Sequence, residues 1–383
     1  MIDKSGWNKV KLGDVVQHVK DTVNVESCDL EYYLGGEHFN TDDLHINGKG
    51  VIKGSTIGPA FIMRFKPGQV LLVSRNPHLR KMAVVDFESI CSNVTYVCET
   101  KSELLLQEFL PFVMRSGDFW RFAEANKRGS TNFYLNWTDF ARYEFLLPPI
   151  EEQKRIAELL WAADEVADDY LKCETDLNVI SDGLVNEMIS HISSKSDTCT
   201  LGELINYRIG QVDPKSTPYR DMPLLAPNHI VSGTGQVVDM QTAAEQNAVS
   251  GKYLFEKGEI VYSKIRPSLN KVIIADFNGI CSADMYPISV KGDNLTIQFL
   301  YYLLSSKIFV DYATACSIRT SIPKLNRTDM SKFSFRLPTL TYQNYFSNKM
   351  DALSKAKFAN LNKINHSKKL LKNLIEHYLG GAN

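Results

Sequence analysis

The sequence lacks several features, and each absence narrows what the chain can be. No apolar run reaches the length of a membrane span, and residues 1–9 contain no apolar signal core, so a cytoplasmic chain with no membrane partner is expected. Cysteine is sparse and scattered, at Cys28, Cys91, Cys98, Cys173, Cys199, Cys281 and Cys316. The count is odd and no pair is spaced Cys-x-x-Cys, which argues for buried thiols in a reducing compartment over a disulfide framework or a zinc site. No Gly-x4-Gly-Lys-Ser/Thr run is present, so ATP chemistry is not expected, and no His-Glu-x-x-His pair offers a metal site. His38 and His45 have no cysteine or carboxylate companions at ligand spacing. The glycine-rich cofactor loop and Asn/Asp-Pro-Pro-aromatic pocket of an adenine methyltransferase are missing. The nearest match, Asn76-Pro77-His78, has neither the second proline nor the aromatic residue and reads as a turn. No catalytic, metal-binding or cofactor-binding residue is therefore assigned.

What is present is a duplication. At 383 residues the chain is too long for one ordinary core. Shifted by 190 residues, it overlays itself from residue 66 to 153 without a gap. Gly68 meets Gly258, Pro77 meets Pro267, and Lys81 meets Lys271. Ile90-Cys91-Ser92 meets Ile280-Cys281-Ser282, Asn136 meets Asn326, Leu147-Pro148 meets Leu337-Pro338, and Gln153 meets Gln343. Each unit begins with β-branched runs such as Val70-Leu71-Leu72-Val73 and Lys271-Val272-Ile273-Ile274, which read as strands. Helical stretches follow around 104–125 and 296–315, then a polar loop, a short strand ending in Leu-Pro, and a long helical segment.

The long segments have a helical period. Glu151 to His191 holds no proline and one glycine, with an apolar seam at Ile156, Leu159, Ala163, Val166, Tyr170, Cys173, Leu177, Ile180 and Leu184. Such a helix would be roughly 60 Å long. The second seam, from Thr341 to Tyr378, carries Phe346, Met350, Leu353, Leu361, Ile364, Leu371, Leu374, Ile375 and Tyr378. The first segment has ten acidic residues up to Asp182 and the second has seven lysines, a contrast that favours pairing of the two. Chain connectivity makes that pair antiparallel.

The segment Leu146-Leu147-Pro148-Pro149-Ile150-Glu151-Glu152-Gln153-Lys154-Arg155-Ile156-Ala157 resembles the hallmark of type I restriction specificity subunits, in which a Leu-Pro-Pro run joins a target recognition domain to a spacer helix. Trp7-Asn8-Lys9-Val10-Lys11-Leu12-Gly13-Asp14-Val15 resembles the family's opening element, and Cys199-Thr200-Leu201-Gly202-Glu203-Leu204-Ile205 looks like the same element in the second half. The second hallmark departs, reading Leu337-Pro338-Thr339-Leu340-Thr341-Tyr342-Gln343. The resemblance covers the whole chain. It implies an α+β chain of two similar α/β target recognition domains at 1–148 and 196–338. They are separated by spacer helices at 149–195 and 339–383 that form an antiparallel coiled coil with a pseudo-twofold axis. It further implies double-stranded DNA as ligand. Two modification subunits that carry S-adenosylmethionine and methylate adenine are implied as partners, with restriction subunits that translocate and cut.

Three loops per domain are the candidate DNA readers. The first holds Arg75, Asn76, His78, Arg80 and Lys81, matched by Lys264, Arg266, Asn270 and Lys271. Arginine can bridge guanine O6 and N7, and lysine can neutralise phosphate. The second holds Lys127, Arg128, Ser130, Thr131, Asn132 and Tyr134, matched by Arg319, Thr320, Ser321 and Lys324, with hydroxyls, amides and cations suited to backbone and base-edge contacts. The third holds Glu37 and His38, matched by Asn228 and His229; Asn228 can read adenine and Glu37 can accept from cytosine. A net charge of −1 does not by itself announce nucleic acid. A self-contained methyltransferase or nuclease is disfavoured by the missing pockets. A coiled-coil adaptor has no need of two large duplicated domains with matched basic loops. The recognition part of a bifunctional cut-and-methylate enzyme shares the same layout.

Overall fold

A computed structural model describes residues 3–193, 198–317 and 323–380. The chain divides into two compact units: residues 1–172 with 361–383, and residues 173–360. The first unit is built from two separate stretches of chain, and each long helix contributes to both units.

In the first unit the strand Val70–Val73 lies inside a four-stranded antiparallel sheet, between Thr95–Thr100 and Met82–Val84, with Val16–His18 on the far side of Thr95–Thr100. All four of its residues are buried, and they face alternately. Val70 and Leu72 pack on the helical layer with Phe109, Phe112 and Trp120. Leu71 and Val73 pack on a second sheet with Leu34, Phe65 and Cys91. The uninterrupted apolar run is thus the middle layer of three. The second sheet is mixed, since Tyr32–Leu34 runs parallel to Ser89–Ser92.

The second unit repeats this arrangement. Ile260–Ser263 takes the place of Val70–Val73, with Ile260 and Tyr262 in the helical core and Val261 against the second sheet. Even the pairing is preserved: Val70 faces Cys98 and Ile260 faces Ile288, the same 190-residue shift in both partners. The helical stretches break at equivalent serines, into Leu110–Arg115 and Gly117–Ala125 and into Ile297–Ser305 and Lys307–Ser317. At each break a buried serine hydroxyl, of Ser116 or Ser306, donates to the carbonyl three residues back and accepts from the amide three residues on, capping the next helix. The opening Leu-Gly pairs have a steric reason. A Cβ on Gly13 would stand 2.7 Å from Ala141 Cβ, and one on Gly202 2.8 Å from Ser331 Cβ.

The long helices span Ile150–Ile192 and Leu340–Leu379. Within the first unit, Ile156 and Leu160 share a core with Leu371 and Ile375. Arg155 lies over the Tyr378 ring and Lys363 over the Tyr170 ring, so the two segments run antiparallel. Within the second unit His191 stacks on Tyr342 at 3.9 Å, and Met188 and Ile192 pack with Phe346. The seam on the first helix differs in phase from the sequence reading. The inward residues are Gln153, Ile156, Leu160, Asp164, Ala167, Met188 and Ile192, while Leu159, Val166 and Ile180 are exposed. The sequence pattern followed the most apolar positions, and some of these face outward. Among the described residues no ion pair joins the two helices. Apolar, ring-stacking and cation–π contacts are among those that hold them, and the charge contrast forms no ion pair between them among the described residues.

One residue in each unit ties helix to domain. Gln153 is fully buried; its Oε1 accepts from Leu106 N at 2.9 Å, and its Nε2 donates to the carbonyls of Leu104 and Pro148 at 2.7 and 2.8 Å. Gln343 does the same with Thr296 N, Asn294 O and Pro338 O, all at 2.8 Å. The departure at Thr339 is also explained. Where the first copy has Pro149, the Thr339 hydroxyl accepts from Tyr342 N and starts the helix as a cap.

In the first unit alone, Asp164 on the long helix accepts from Arg115 Nη1 at 3.0 Å and pairs with His45 Nε2 at 2.7 Å. Arg115 also donates to the Asp42 carbonyl at 2.6 Å. The hydrogen bond to Asp164 raises the His45 pKa from its ordinary 6.5. That contribution is therefore complete below about pH 6.5 and is lost as pH rises through the raised value.

Two outcomes are expected. Gln343→Glu keeps the size of the side chain but removes both donors, and should lower stability by at least about 2 kcal/mol in urea denaturation. His45→Gln should flatten the fall in stability as pH rises above 6.5, measured by denaturation at several pH values.

Candidate nucleic-acid interface

The first loop of each unit joins two neighbouring strands through a single turn of tight helix, Pro77–Leu79 or Pro267–Leu269. The turn is closed by Leu79 N to Asn76 O and by Leu269 N to Arg266 O. Both flanking residues have left-handed backbones: Asn76 at φ 50° and Arg80 at 47°, Arg266 at 47° and Asn270 at 48°. Asparagine tolerates this region. For arginine it costs on the order of 1 kcal/mol, and such strain gathers at functional sites.

The second loop is sewn to the first by backbone hydrogen bonds. Asn76 N donates to Phe133 O and Leu135 N to Ser74 O; in the second unit Arg266 N donates to Pro323 O and Leu325 N to Lys264 O. The Arg75 guanidinium stacks 5.2 Å from the Tyr134 ring centre. Arg128 grips Asp139 with two hydrogen bonds, of 2.7 and 3.1 Å, and this holds the Asp139 carboxyl below the usual range. Lys127 pairs with Glu124 at 2.8 Å and lies over the Phe133 ring. Ser130, Thr131 and Asn132 are exposed. Arg319, Thr320 and Ser321 lie outside the described residues. Lys324 pairs across the loops with Ile265 by a backbone bridge, as Tyr134 does with Arg75.

The third loop closes the frame. Lys81 Nζ donates to Gly36 O at 2.5 Å and Lys271 Nζ to Pro227 O at 2.7 Å. His38 Nδ1 accepts from Gly35 N and His229 Nδ1 from Ala226 N, so each ring caps its own turn; His229 is only 6% exposed. Asn270 Nδ2 donates to Ser305 O. The structure therefore brings all three loops together in each unit and sorts their residues. Lys81, Lys271, His38, His229 and Asn270 hold the frame. Glu37, Arg75, His78, Arg128, Asn228, Arg266 and Lys324 are exposed, and Asn76, Arg80, Lys127, Tyr134 and Lys264 are partly so.

Sequence reasoning missed three residues in the second unit. Arg327 lies 5.2–5.4 Å from the ring centres of Tyr207, Tyr253 and Tyr286, and Asp284 stands near Lys264 and Lys324. Tyr286 donates to Leu325 O beneath the loops. The 190-residue shift carried the signal for two of them, since it sets Arg327 opposite Trp137 and Asp284 opposite Val94 inside a matched framework. The buried Cys91 thiol is pushed up to about 12 by burial, and Cys98 and Cys281 are raised in the same way, so these cysteines are packing groups. No helix among the described residues is long and apolar enough to cross a membrane.

The family model described as "Type I restriction modification DNA specificity domain" matches residues 4–175 and 193–367. The type I restriction enzyme EcoDI specificity subunit of Escherichia coli is 43% identical over 129 residues, a stretch covering 34% of this chain and 28% of that relative's length. The solved type I restriction-modification S subunit from M. genitalium superposes with a TM-score of 0.64 at 15% identity, over 98% of this chain and 97% of the other. A chain from a structural study of complex assembly and conformational transition in a type I R-M system gives 0.56 at 18% identity, over 97% of each chain. These two likenesses bear on the fold. The family model covers nearly all of both units, and the chain belongs to the family of type I restriction-modification DNA specificity domains.

Proposed function

We propose that this chain is the DNA-binding specificity subunit of a type I restriction–modification complex, without catalysis of its own. Each unit reads one half of a bipartite, asymmetric target in double-stranded DNA. The observation that carries this reading is a loop frame built twice from the same backbone hydrogen bonds, with different side chains mounted on it. A shared frame suits two readers that approach DNA alike, and unlike side chains suit two different half-targets. Arg75 and Arg266 are exposed one position apart on this frame, each beside the second loop.

Two modification subunits, carrying S-adenosylmethionine, methylate adenine where the readers place them, and restriction subunits cleave. Exposed apolar side chains on the long helices, among them Val166, Ile180 and Phe358, supply docking area for such partners. With a net charge of −1, this subunit leaves part of the phosphate neutralisation to them. The complex works in the cytoplasm.

Arg75→Ala and Arg266→Ala should each weaken specific binding by the assembled complex by roughly 1–3 kcal/mol. Equilibrium binding to the complex's own methylated site measures this, and unchanged affinity in both would remove the first loop from the DNA surface. Replacing residues 1–146 with another first domain should change one half of the methylated sequence, read by methylation-site sequencing, and leave the other half as it was.

A further inference from the structure

In the second unit three cations crowd together at the junction of the first two loops. Lys264 and Lys324 both approach Asp284 Oδ1, at 3.9 and 3.6 Å, distances too long for hydrogen bonds. Arg327 is caged by Tyr207, Tyr253 and Tyr286, and its Nη2 donates to the Arg208 carbonyl at 3.1 Å, so the guanidinium is held in one orientation. Lys264 lies over the same Tyr286 ring, 5.5 Å from its centre. Glu256 and Glu259 are occupied by Arg208 at 2.9 and 2.8 Å, and Asp329 pairs with Lys332 at 3.7 Å. Among the described residues Asp284 is the carboxylate that Lys264 and Lys324 share, and Arg327 forms no ion pair.

Like charges held together at partial burial disfavour the free protein. The Lys264 ammonium shows the effect: burial lowers its pKa most, and repulsion from Lys324 and Arg327 lowers it further, against the pull of Asp284. An anion arriving at the junction relieves this repulsion. The first unit has nothing comparable at the matching places, where Ser74, Tyr134, Trp137 and Val94 stand for Lys264, Lys324, Arg327 and Asp284. There His18, Tyr96 and Phe140 pack against Trp137 in a cluster with no cation at its centre.

We propose that Lys264, Lys324 and Arg327 form a phosphate-gripping site of the second unit, with no equivalent in the first, which takes one backbone phosphate of the DNA that this unit reads. Asp284 is the counterion that the chain itself supplies to the two lysines. Tyrosine faces hold Arg327 without taking its donors, and one Nη2 bond to the Arg208 carbonyl orients it, so the guanidinium meets the phosphate with its other donors already aimed. A phosphate contact positions the protein without reading sequence. The two units therefore divide the work unequally, the second holding the backbone more tightly. This inference rests on the function proposed above.

The test uses the full chain assembled with its modification subunits, and two duplexes, one carrying its methylated site and one unrelated. Lys324→Gln and Arg327→Gln are each compared with the unaltered complex over a range of salt concentrations. The slope of log affinity against log salt should shrink with each substitution, and by about 0.9, the share of one phosphate, when the two are combined, on both duplexes alike. The methylated sequence should stay the same. Lys324 is on the surface, so its variant folds even if uncaging Arg327 disturbs the unit. An unchanged slope with Lys324→Gln and with a folded Arg327→Gln overturns the proposal. So does an unchanged slope with relaxed choice at one base of the second half-target, which would make the cluster a base reader. An unaltered complex that shows no sequence preference would instead sink the proposed function, a result distinct from either of these.

Discussion

The architecture depends on one buried carboxamide in each unit. Gln153 and Gln343 sit at the first turn of their helices, out of reach of water, and satisfy three backbone groups on two other segments. A buried polar group is tolerated only when its hydrogen bonds are made, and here each bond fixes a strand end or a loop to the helix. The glutamine has one acceptor face and two donors, and all are used. Neither leucine nor glutamate matches that set. The joint is consequently geometric as well as cohesive. It fixes how each helix leaves the strand end and loop that it is bonded to.

Much of this is legible in the sequence, and the reasons are physical. The gap-free shift of 190 residues survives because paired strands must keep register on both sides of a sheet; a single insertion would turn the buried set outward. Val70 opposite Cys98 and Ile260 opposite Ile288 show that constraint at work. The two long helices are readable from their period and their lack of proline. The phase of the first seam is not, because Leu159, Val166 and Ile180 are apolar without being inward. Periodicity finds a face, but only packing decides which face.

Within the loops the sequence shows where chemistry gathers and hides how it is shared out. Lys81 and Lys271 read as phosphate ligands, yet their ammonium groups close a hydrogen bond to a neighbouring loop. His38 and His229 read as DNA-facing loop residues, and in the fold they cap their own turns. These partners are backbone carbonyls and amides, which leave no trace in residue identity. The 190-residue shift marks Arg327 as a departure, but its role is hidden for the opposite reason. Its importance comes from three tyrosines at distant positions in the chain, which only folding assembles.

The backbone stitching between the first two loops has a consequence for change over time. The bonds from Asn76 N to Phe133 O and from Arg266 N to Pro323 O involve no side chain, so they tolerate any residue except proline at the donor position. New preferences can then be acquired by point substitution on a mount that keeps its shape, as exchanging a key's teeth leaves its shank intact.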